Sequence, residues 1–492
     1  MNQVLNISNN QSYEIVRRMP NTTGMRRFLV YYGKGCVILA GIKTKSYEMD
    51  MCSGSVLKKM LLFALPLMCS SVLQLLFNAA DIVVVGRFSG DNSLAAVGAN
   101  SSLINLLTNL FIGLSVGANV LVARDFGAKR EEDLKKTVHT SITIGIISGV
   151  LLTFVGLIGA GIILRWMQTP GDVLDLAIIY LRVYFLGMPA MMVYNFGSAV
   201  LRAIGDTRRP LYYLLVSGVI NVILNLIFVV FLNMDVAGVA AATAISQCVS
   251  AVLVVRCLIR ETGAIHLDLK SLKVYRDKLN QILRIGLPAG FQGMLFSLSN
   301  VVIQSAVNGF GETVVAGNSA ASNIEGFVYV AMNAFCQATL SFSSQNMGAG
   351  EKKRVLRVLL AGQACVSVVG ILLGNLVYLL GEPLLGIYSE SGPVIKAGMD
   401  RLAMICVPYA LCGIMDVMVG GIRGIGYSIM PMIVSLVGAC GLRLLWLATV
   451  FQIPEYHTIQ TVYFSYPISW SITILAHVIC YIVGYRRIKF SG

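Results

Sequence analysis

Residues 202–210 read RAIGDTRRP, and residues 423–431 read RGIGYSIMP. The two stretches carry Arg, Ile, Gly and Pro at the same relative positions, and 423 minus 202 gives an interval of 221 residues. The same interval of 221 (348 minus 127) separates Gly127 from Gly348, each of which is followed by Ala. A repeat at a fixed interval predicts that most of the chain consists of two homologous halves.

The composition indicates that both halves are embedded in lipid. Of the 492 residues, 56% are hydrophobic and 13% are charged, whereas a soluble domain has roughly 25% charged residues. About twelve apolar stretches have the length of ~20 residues that is needed to cross a bilayer. They lie at 60–85, 94–123, 138–163, 174–200, 210–232, 237–257, 282–308, 314–343, 355–380, 396–420, 430–451 and 462–485. We therefore predict an all-α integral membrane protein.

Each half contains about six of these spans, and an even number of spans returns the chain to the side from which it started. The halves then have the same orientation, as in the parallel repeats of secondary transporters. The predicted divisions are an N-terminal six-helix lobe at 55–257, a linker at 258–281, and a C-terminal six-helix lobe with its tail at 282–492. This organisation predicts a substrate path between the two lobes.

Most of the 38 Lys and Arg residues lie on one side of this arrangement. Cytoplasmic loops are enriched in Lys and Arg, so both termini and the linker are predicted to be cytoplasmic in a multi-pass protein of the plasma membrane. The net charge of +14 follows from this bias. It does not indicate nucleic-acid binding, because the charges are dispersed over short loops that face an anionic leaflet. The main clusters are Lys129/Arg130/Lys135/Lys136, Arg202/Arg208/Arg209, Lys270/Lys273/Arg276/Lys278, Lys352/Lys353/Arg354/Arg357 and Arg486/Arg487/Lys489.

Residues 1–54 differ in character from the rest of the chain. The apolar piece from Gly35 to Ile42 is too short to span a membrane. Met49 and Met51 come just before the polar start of the first span. We predict that residues 1–54 are a disordered cytoplasmic extension. The first 48 residues are such an extension or an upstream misread start, so a chain that begins at Met49 is expected to transport normally.

The sequence carries no pattern of a catalytic or cofactor site. Its 11 Cys are scattered and its 4 His are isolated, and it has no phosphate-binding motif of the Walker type. A membrane-embedded lipid-modifying transferase would need acids or histidines clustered at one membrane face. We therefore expect no enzyme and no cofactor. The expected energy source is a gradient of H⁺ or Na⁺, and the expected partners are a small-molecule substrate and membrane lipids.

Asp81 is the first candidate for an ion-coupling residue, because a partially desolvated carboxylate binds a proton or a small cation. Asn221 and Asn225 are one helical turn apart and share a face, and Thr243 lies on the next span. We predict that these four residues form a proton or Na⁺ site. The alternatives are pairing of Asp81 with Arg87 near the end of the span, and hydrogen bonding between helices by the asparagines.

The second half offers different polar residues. Glu325 lies near the middle of its span and is predicted to contact substrate or to pair with Arg443. Asp416 lies seven residues before Arg423 and is predicted to line the substrate cavity or to lock the inner gate. His477 is expected to be a hydrogen-bonded packing residue.

Aromatic and methionine side chains complete the predicted substrate cavity. Tyr184, Met188 and Met192 are expected to line it together with Glu325 and Asp416. Aromatic faces and polarizable sulfur suit varied lipophilic cations.

The ordered set of motifs resembles the MATE (multidrug and toxic compound extrusion) family over about residues 55–487. The resemblance implies two six-helix lobes in a V shape, a central cavity, and exchange of an organic cation for Na⁺ or H⁺ by alternating access. The motifs that carry it are Leu65-Pro66, Asn78 with Asp81, Val85-Gly86, Arg124-Asp125-Phe126-Gly127-Ala128, the Arg202 to Thr207 element with Pro210, and Gln345-Asn346-Met347-Gly348-Ala349-Gly350.

Within the family the chain is most similar to the DinF-like branch, whose ion site uses an Asp on the first span. That motif corresponds to Asp81, Asn221, Asn225 and Thr243. The branch usually has Asp at the position of Asn225, and the missing charge implies weaker cation binding or an altered stoichiometry. The acid that NorM-like members carry on the seventh span is absent from residues 295–299.

The alternative within transport is a flippase or exporter of a lipid-linked or polysaccharide precursor. Such proteins usually have more spans and strongly basic cavities, which the sequence does not indicate. A monomer is the expected state.

Overall fold

The computed structural model describes residues 14–18, 28–32, 35–39, 48–167, 169–261 and 263–488. The chain divides into two compact units, Met1–Glu48 and Met49–Gly492. In the first unit the described residues form three strands in the order β1 (Glu14–Arg18), β2 (Phe28–Tyr32) and β3 (Gly35–Leu39), paired antiparallel. These strands differ from the expected disorder, and the β-branched and aromatic residues in them favour extended backbone. The remaining residues before Glu48 lie outside the described part, so the prediction for them stands as it was.

The described residues of the second unit form helices joined by short connections. Its first half contains α1 (Val56–Phe88), α2 (Asp91–Gly127), α3 (Glu131–Trp166), α4 (Gly171–Leu186), α5 (Met188–Ala203), α6 (Arg208–Asn225) and α7 (Asp235–Arg260), with a π-helical turn at Leu226–Phe231. Its second half contains α8 (Arg276–Asn308), α9 (Glu312–Gly348), α10 (Lys352–Leu379), α11 (Gly381–Gly386), α12 (Gly392–Ile405), α13 (Ala410–Gly424), α14 (Ile429–Ser435), α15 (Leu442–Ala448) and α16 (Ile459–Arg487), with a second π-helical turn at Leu436–Gly441. Short 3₁₀ helices occur at Leu269–Ser271, Val450–Gln452 and Pro454–Tyr456. The connection between the halves runs from Glu261 to Tyr275, shorter than the predicted linker at 258–281 because helices continue into it.

Within the described residues, nine helices are long and apolar enough to cross a membrane, or up to 11 spans if each of two bent helix pairs counts as one. The bent pairs are α4 with α5, at 47°, and α12 with α13, at 48°. Pro189 and Pro408 lie at these two breaks, where proline removes a backbone hydrogen bond and permits a bend. The sequence prediction of an all-α membrane protein is confirmed.

Helix α9 corresponds to the eighth predicted span, 314–343, and it is not among the helices that pass this test. It is 37 residues long and buries Asn318, Glu325, Gln345 and Asn346 together with a run of small residues. It packs against α1, α2, α10, α12 and α13. A helix with this many protein neighbours does not need a continuous apolar face toward lipid.

The first helix of each half packs into the core of the other half. Phe63 of α1 belongs to a cluster with residues of α9, α10 and α13, and its ring lies edge-on to Phe342 at 5.5 Å. Ile282 of α8 belongs to a cluster with Leu114 and Leu121 of α2. At one end of the bundle, the N-terminal part of each lobe's first helix therefore packs against the other lobe. We call this end the basic end, because it carries the clusters at 129–136 and 352–357.

Candidate functional site

Asp81, Asn221, Asn225 and Thr243 meet between α1, α6 and α7. The Asn225 side-chain amide donates to Asp81 Oδ1, and the Thr243 hydroxyl lies 3.4 Å from Asp81 Oδ2. Asn221 Nδ2 donates to Thr243 Oγ1 over 3.2 Å, and Asn225 Nδ2 lies 3.3 Å from Asn221 Oδ1. The structure thus brings all four predicted residues into one hydrogen-bonded cluster.

The helices fix this arrangement locally. Asn221 and Asn225 lie on one face of α6 and are buried, and Asn225 is the last residue before the π-helical turn Leu226–Phe231. Thr243 also donates to the Val239 carbonyl oxygen over 3.0 Å, which anchors its side chain on α7. Asp81 forms no ion pair with Arg87 among the described residues. The alternative prediction, an ion pair between Asp81 and Arg87, is therefore wrong for the described residues.

The Oδ1 atom of Asn225 is buried and has no hydrogen-bond partner among the described residues. A buried acceptor without a donor is costly. Rotation of this amide would present Oδ1 to a proton or a cation held by Asp81. The donor set is then one carboxylate with neutral amide and hydroxyl oxygens, which suits a proton or a hard cation such as Na⁺.

Two tyrosines lie close to the cluster. Tyr180 and Tyr184 of α4 stack with ring centroids 5.9 Å apart, and the charge of Asp81 acts on both. Tyr184 also lines a small crevice with Thr243 and Met188. Tyr180 was not among the predicted site residues, although it lies four residues before Tyr184 and therefore on the same helix face.

A separate cavity of about 610 Å³ lies in the second half. Its volume is within the usual range of roughly 300–1,000 Å³ for small-molecule sites. Asn109 of α2 lines it, and the other lining residues belong to the second half. Its polar and aromatic lining residues are Asn109, Gln292, Phe296, Ser297, Asn300, Gln304, Ser322, Glu325, Tyr329, Asn333, Gln337, Arg401, Tyr409, Asp416, Arg423, Arg443, Tyr466 and Trp470.

Glu325 lies in this cavity, and its partner is Arg401 of α12. Arg401 Nε donates to one carboxylate oxygen and Nη2 to the other, each over 2.8 Å. Arg401 Nη1 donates to Asn318 Oδ1 over 2.6 Å. The predicted pairing of Glu325 with Arg443 is wrong, because the fork of Arg401 occupies both carboxylate oxygens.

Asp416 lies in the same cavity, where the Tyr329 hydroxyl hydrogen-bonds to it. Arg423 donates to Gln292 Oε1 over 2.7 Å and has a buried Nε without a partner. These contacts of Asp416 and Arg423 are internal to the second half. The structure places Asp416 in this cavity, and both its role in a substrate site and its role at an inner gate stay predictions.

The structure does not place Tyr184, Met188 and Met192 at this cavity. Met188 and Met192 belong to the buried core of the first half, with exposed fractions of 1% and 0%. The structure therefore does not bring these three residues into one cavity with Glu325 and Asp416. His477 is buried and lies 3.1 Å from Ser435 Oγ, as expected for a packing residue.

A short segment, Met49–Gly54, joins the two lobes at the basic end, and we call it the strap. The Met49 amide donates to the Ile204 carbonyl oxygen of the first half over 3.1 Å, whereas the Met51 amide donates to Gln345 Oε1 of α9 over 2.9 Å. The carbonyl oxygens of the strap accept three hydrogen bonds from Arg354, of 3.0, 2.9 and 2.6 Å. Met51 is fully buried. The structure therefore corrects the prediction of disorder for residues 49–54.

The residues of the repeated motif also meet at the basic end. A Cβ atom at Gly426 would lie 2.6 Å from Nη2 of Arg124, so the guanidinium reaches across to the second half. The second half makes the equivalent contact to the first: Gln345 of α9 donates from Nε2 to the carbonyl oxygen of Ala203, which lies in the first copy of the motif, over 3.3 Å. Each half thus extends a side chain from its second long helix to the glycine-containing motif of the other half.

Comparisons with known proteins agree with this architecture. The family model described as MatE matches residues 66–227 and 288–448, one match in each half. The chain is similar to the "Probable multidrug resistance protein YoeA" of Bacillus subtilis, with 29% identity over 86% of this chain and 92% of that protein. It is also similar to the "Probable multidrug resistance protein NorM" of Thermotoga maritima, with 26% identity over 79% of this chain and 84% of that protein.

Solved structures share the fold. A MATE crystal structure in complex with MaL6 has a TM-score of 0.82 at 24% identity, covering 90% of this chain and 98% of that chain. The outward-facing conformation of a multidrug resistance MATE family transporter has a TM-score of 0.83 at 23% identity, with the same coverage of 90% and 98%. Because the family model matches both halves and the helices reproduce the MATE fold, the chain belongs to the MatE family and is a transporter, not an enzyme.

Proposed function

We propose that the protein is a secondary active exporter of organic compounds, which it exchanges for H⁺ or Na⁺ across the plasma membrane. The observation that carries the proposal is the single carboxylate of Asp81, held by the neutral amide of Asn225 and the hydroxyl of Thr243 inside a two-lobe membrane fold. The names of the similar proteins, which refer to multidrug resistance, support export of organic compounds.

In this mechanism, Asp81 takes up the coupling ion and changes the packing of α1 against α6 and α7. Asp81 does not line the cavity of about 610 Å³ in the second half. The ion and the substrate therefore act on each other through the conformational equilibrium, which requires only that they favour opposite states.

The basic end is the cytoplasmic side in this proposal, and both termini lie there, because Lys and Arg favour cytoplasmic loops. Contacts across the lobes at this end, from the strap, Arg124 and Gln345, then correspond to a conformation closed toward the cytoplasm. The transporter works as a monomer, since each half supplies part of the closure.

The test is efflux of ethidium, a fluorescent lipophilic cation, from proteoliposomes under a pH gradient and a Na⁺ gradient imposed separately. Asp81→Asn is compared with Asp172→Asn, which makes the same change at an exposed residue at the start of α4. Transport that is driven by one gradient, lost in Asp81→Asn and kept in Asp172→Asn supports the proposal. Gradient-driven transport that survives Asp81→Asn contradicts the role of Asp81.

A further inference from the structure

The cavity in the second half carries one more positive charge than negative. Its charged lining residues are Glu325, Arg401, Asp416, Arg423 and Arg443. Three guanidinium groups thus share the cavity with two carboxylates. A basic cavity was not predictable from the sequence, because the three arginines come from different helices.

Two of the three arginines have an acid that offsets their charge. Arg401 and Glu325 form a pair with two hydrogen bonds of 2.8 Å, and both side chains are buried. The charge of Arg423 is opposed by that of Asp416 seven residues earlier on α13, and Gln292 accepts a hydrogen bond from its guanidinium.

Arg443 has no such acid. It is 4% exposed, and no carboxylate of the described residues lies within the ion-pair distance of 4.0 Å. Its Nε donates to Ser469 Oγ over 2.8 Å. The guanidinium lies over the rings of Tyr466, at 4.1 Å from the centroid, and Trp470, at 5.5 Å.

A buried charge without a counter-ion is costly inside a membrane protein, and such charges commonly mark a substrate path. Stacking on aromatic faces offsets part of the cost and leaves the planar edge of a guanidinium suited to bidentate binding of an anion. Tyr409 and Tyr466 flank Trp470 with ring centroids at 5.6 and 5.7 Å, so an aromatic wall adjoins the free charge.

We propose that this cavity binds amphipathic substrates that carry an anionic group next to an aromatic ring. The carboxylate, sulfonate or phosphate of the substrate pairs with Arg443, and its ring packs against Tyr466 and Trp470. The inference rests on the proposed function, because it treats the cavity as the substrate site. It narrows the substrate class from organic compounds in general to amphipathic compounds that carry an anionic group.

The test uses two dyes that differ in one group. Rhodamine 110 has a free carboxylate, and rhodamine 123 is its methyl ester. Binding of each dye to the purified full-length protein in phosphatidylcholine nanodiscs is measured by fluorescence polarisation. We expect the wild type to bind rhodamine 110 at least about tenfold more tightly than rhodamine 123, as one charge-assisted bidentate contact provides.

Variants assign this preference to Arg443. Arg443→Gln is expected to reduce the affinity for rhodamine 110 to that for rhodamine 123, and Arg443→Lys to keep part of the preference. Arg165→Gln, which removes one positive charge at an exposed residue of α3, is the control and should leave both affinities unchanged. Equal affinities in the wild type, or an equal loss for both dyes in Arg443→Gln, would overturn the proposal. The wild-type comparison does not depend on how any variant folds.

Two further results separate the related explanations. Gradient-driven efflux of rhodamine 123 without preferential binding of rhodamine 110 overturns this inference and leaves the proposed function standing, whereas failure to bind or move either dye overturns both. Displacement of rhodamine 110 by phosphatidylglycerol added to the nanodiscs identifies a lipid headgroup as the anion and overturns assignment of a soluble substrate. Binding that is insensitive to phosphatidylglycerol supports a soluble substrate.

Discussion

A Cβ atom at Gly348 of α9 would lie 2.0 Å from the carbonyl oxygen of Arg124 in α2. The repeat gives the reciprocal contact, since a Cβ atom at Gly127 would lie 2.0 Å from the carbonyl oxygen of Gln345. The two helices therefore cross backbone against backbone at the basic end. Only glycine at both places permits this approach.

Gly348→Ala is expected to prevent closure of the basic end and to reduce gradient-driven efflux at least about tenfold, because a Cβ atom cannot occupy a site 2.0 Å from a carbonyl oxygen. Efflux from proteoliposomes provides the measurement. Gly98→Ala, also on a long helix that pairs the lobes, meets nothing within 4 Å and should retain transport within about twofold. Normal transport by Gly348→Ala would show that this crossing is not required.

Asn225→Asp is expected to strengthen binding of Na⁺ at Asp81 by about tenfold or more, because a second carboxylate would replace the amide that now donates to Asp81 Oδ1. Titration calorimetry of the purified protein with NaCl measures the affinity. Asn92→Asp makes the same change at an exposed residue near the start of α2 and should have no effect. An unchanged Na⁺ affinity in Asn225→Asp would count against cation binding by this cluster.

Arg354→Gln is expected to loosen the strap, since Arg354 supplies three of its hydrogen bonds. Cys52 is the reporter, because burial raises the pKa of its thiol to about 11 and suppresses the reactive thiolate. Loosening reduces the burial and lowers the pKa, so maleimide labelling of Cys52 at pH 8, followed by peptide mass spectrometry, should accelerate several-fold. Labelling should rise with pH in the wild type as the thiol ionises. Arg357→Gln, at an exposed residue one turn away on α10, should label like the wild type.

Removal of residues 1–48 is expected to leave transport intact, whereas removal of residues 1–54 should abolish it. The boundary between the two compact units lies between Glu48 and Met49, and the strap begins at Met49. Efflux and the amount of folded protein, measured by size-exclusion chromatography, test both truncations. Loss of transport in the shorter truncation would assign a role to the first unit.

The cluster around Asp81 was predictable because polar residues at a spacing of one helical turn are conspicuous in apolar helices. The partner of Glu325 was not, because Arg401 is 76 residues away in sequence and periodicity does not identify which faces of two helices meet. The ordered structure of the strap was not predicted, for a related reason. Its hydrogen bonds use backbone atoms of Met49 and Met51, and the sequence contains no signal for such contacts.

The polar character of α9 has a consequence for biosynthesis. Glu325 and Asn318 emerge from the ribosome before Arg401, the residue that binds both. Until α12 is made, α9 carries a carboxylate without its counter-ion, and a helix of this polarity is expected to partition poorly into lipid by itself. We therefore expect α9 to stay beside protein partners during insertion until α12 has been made.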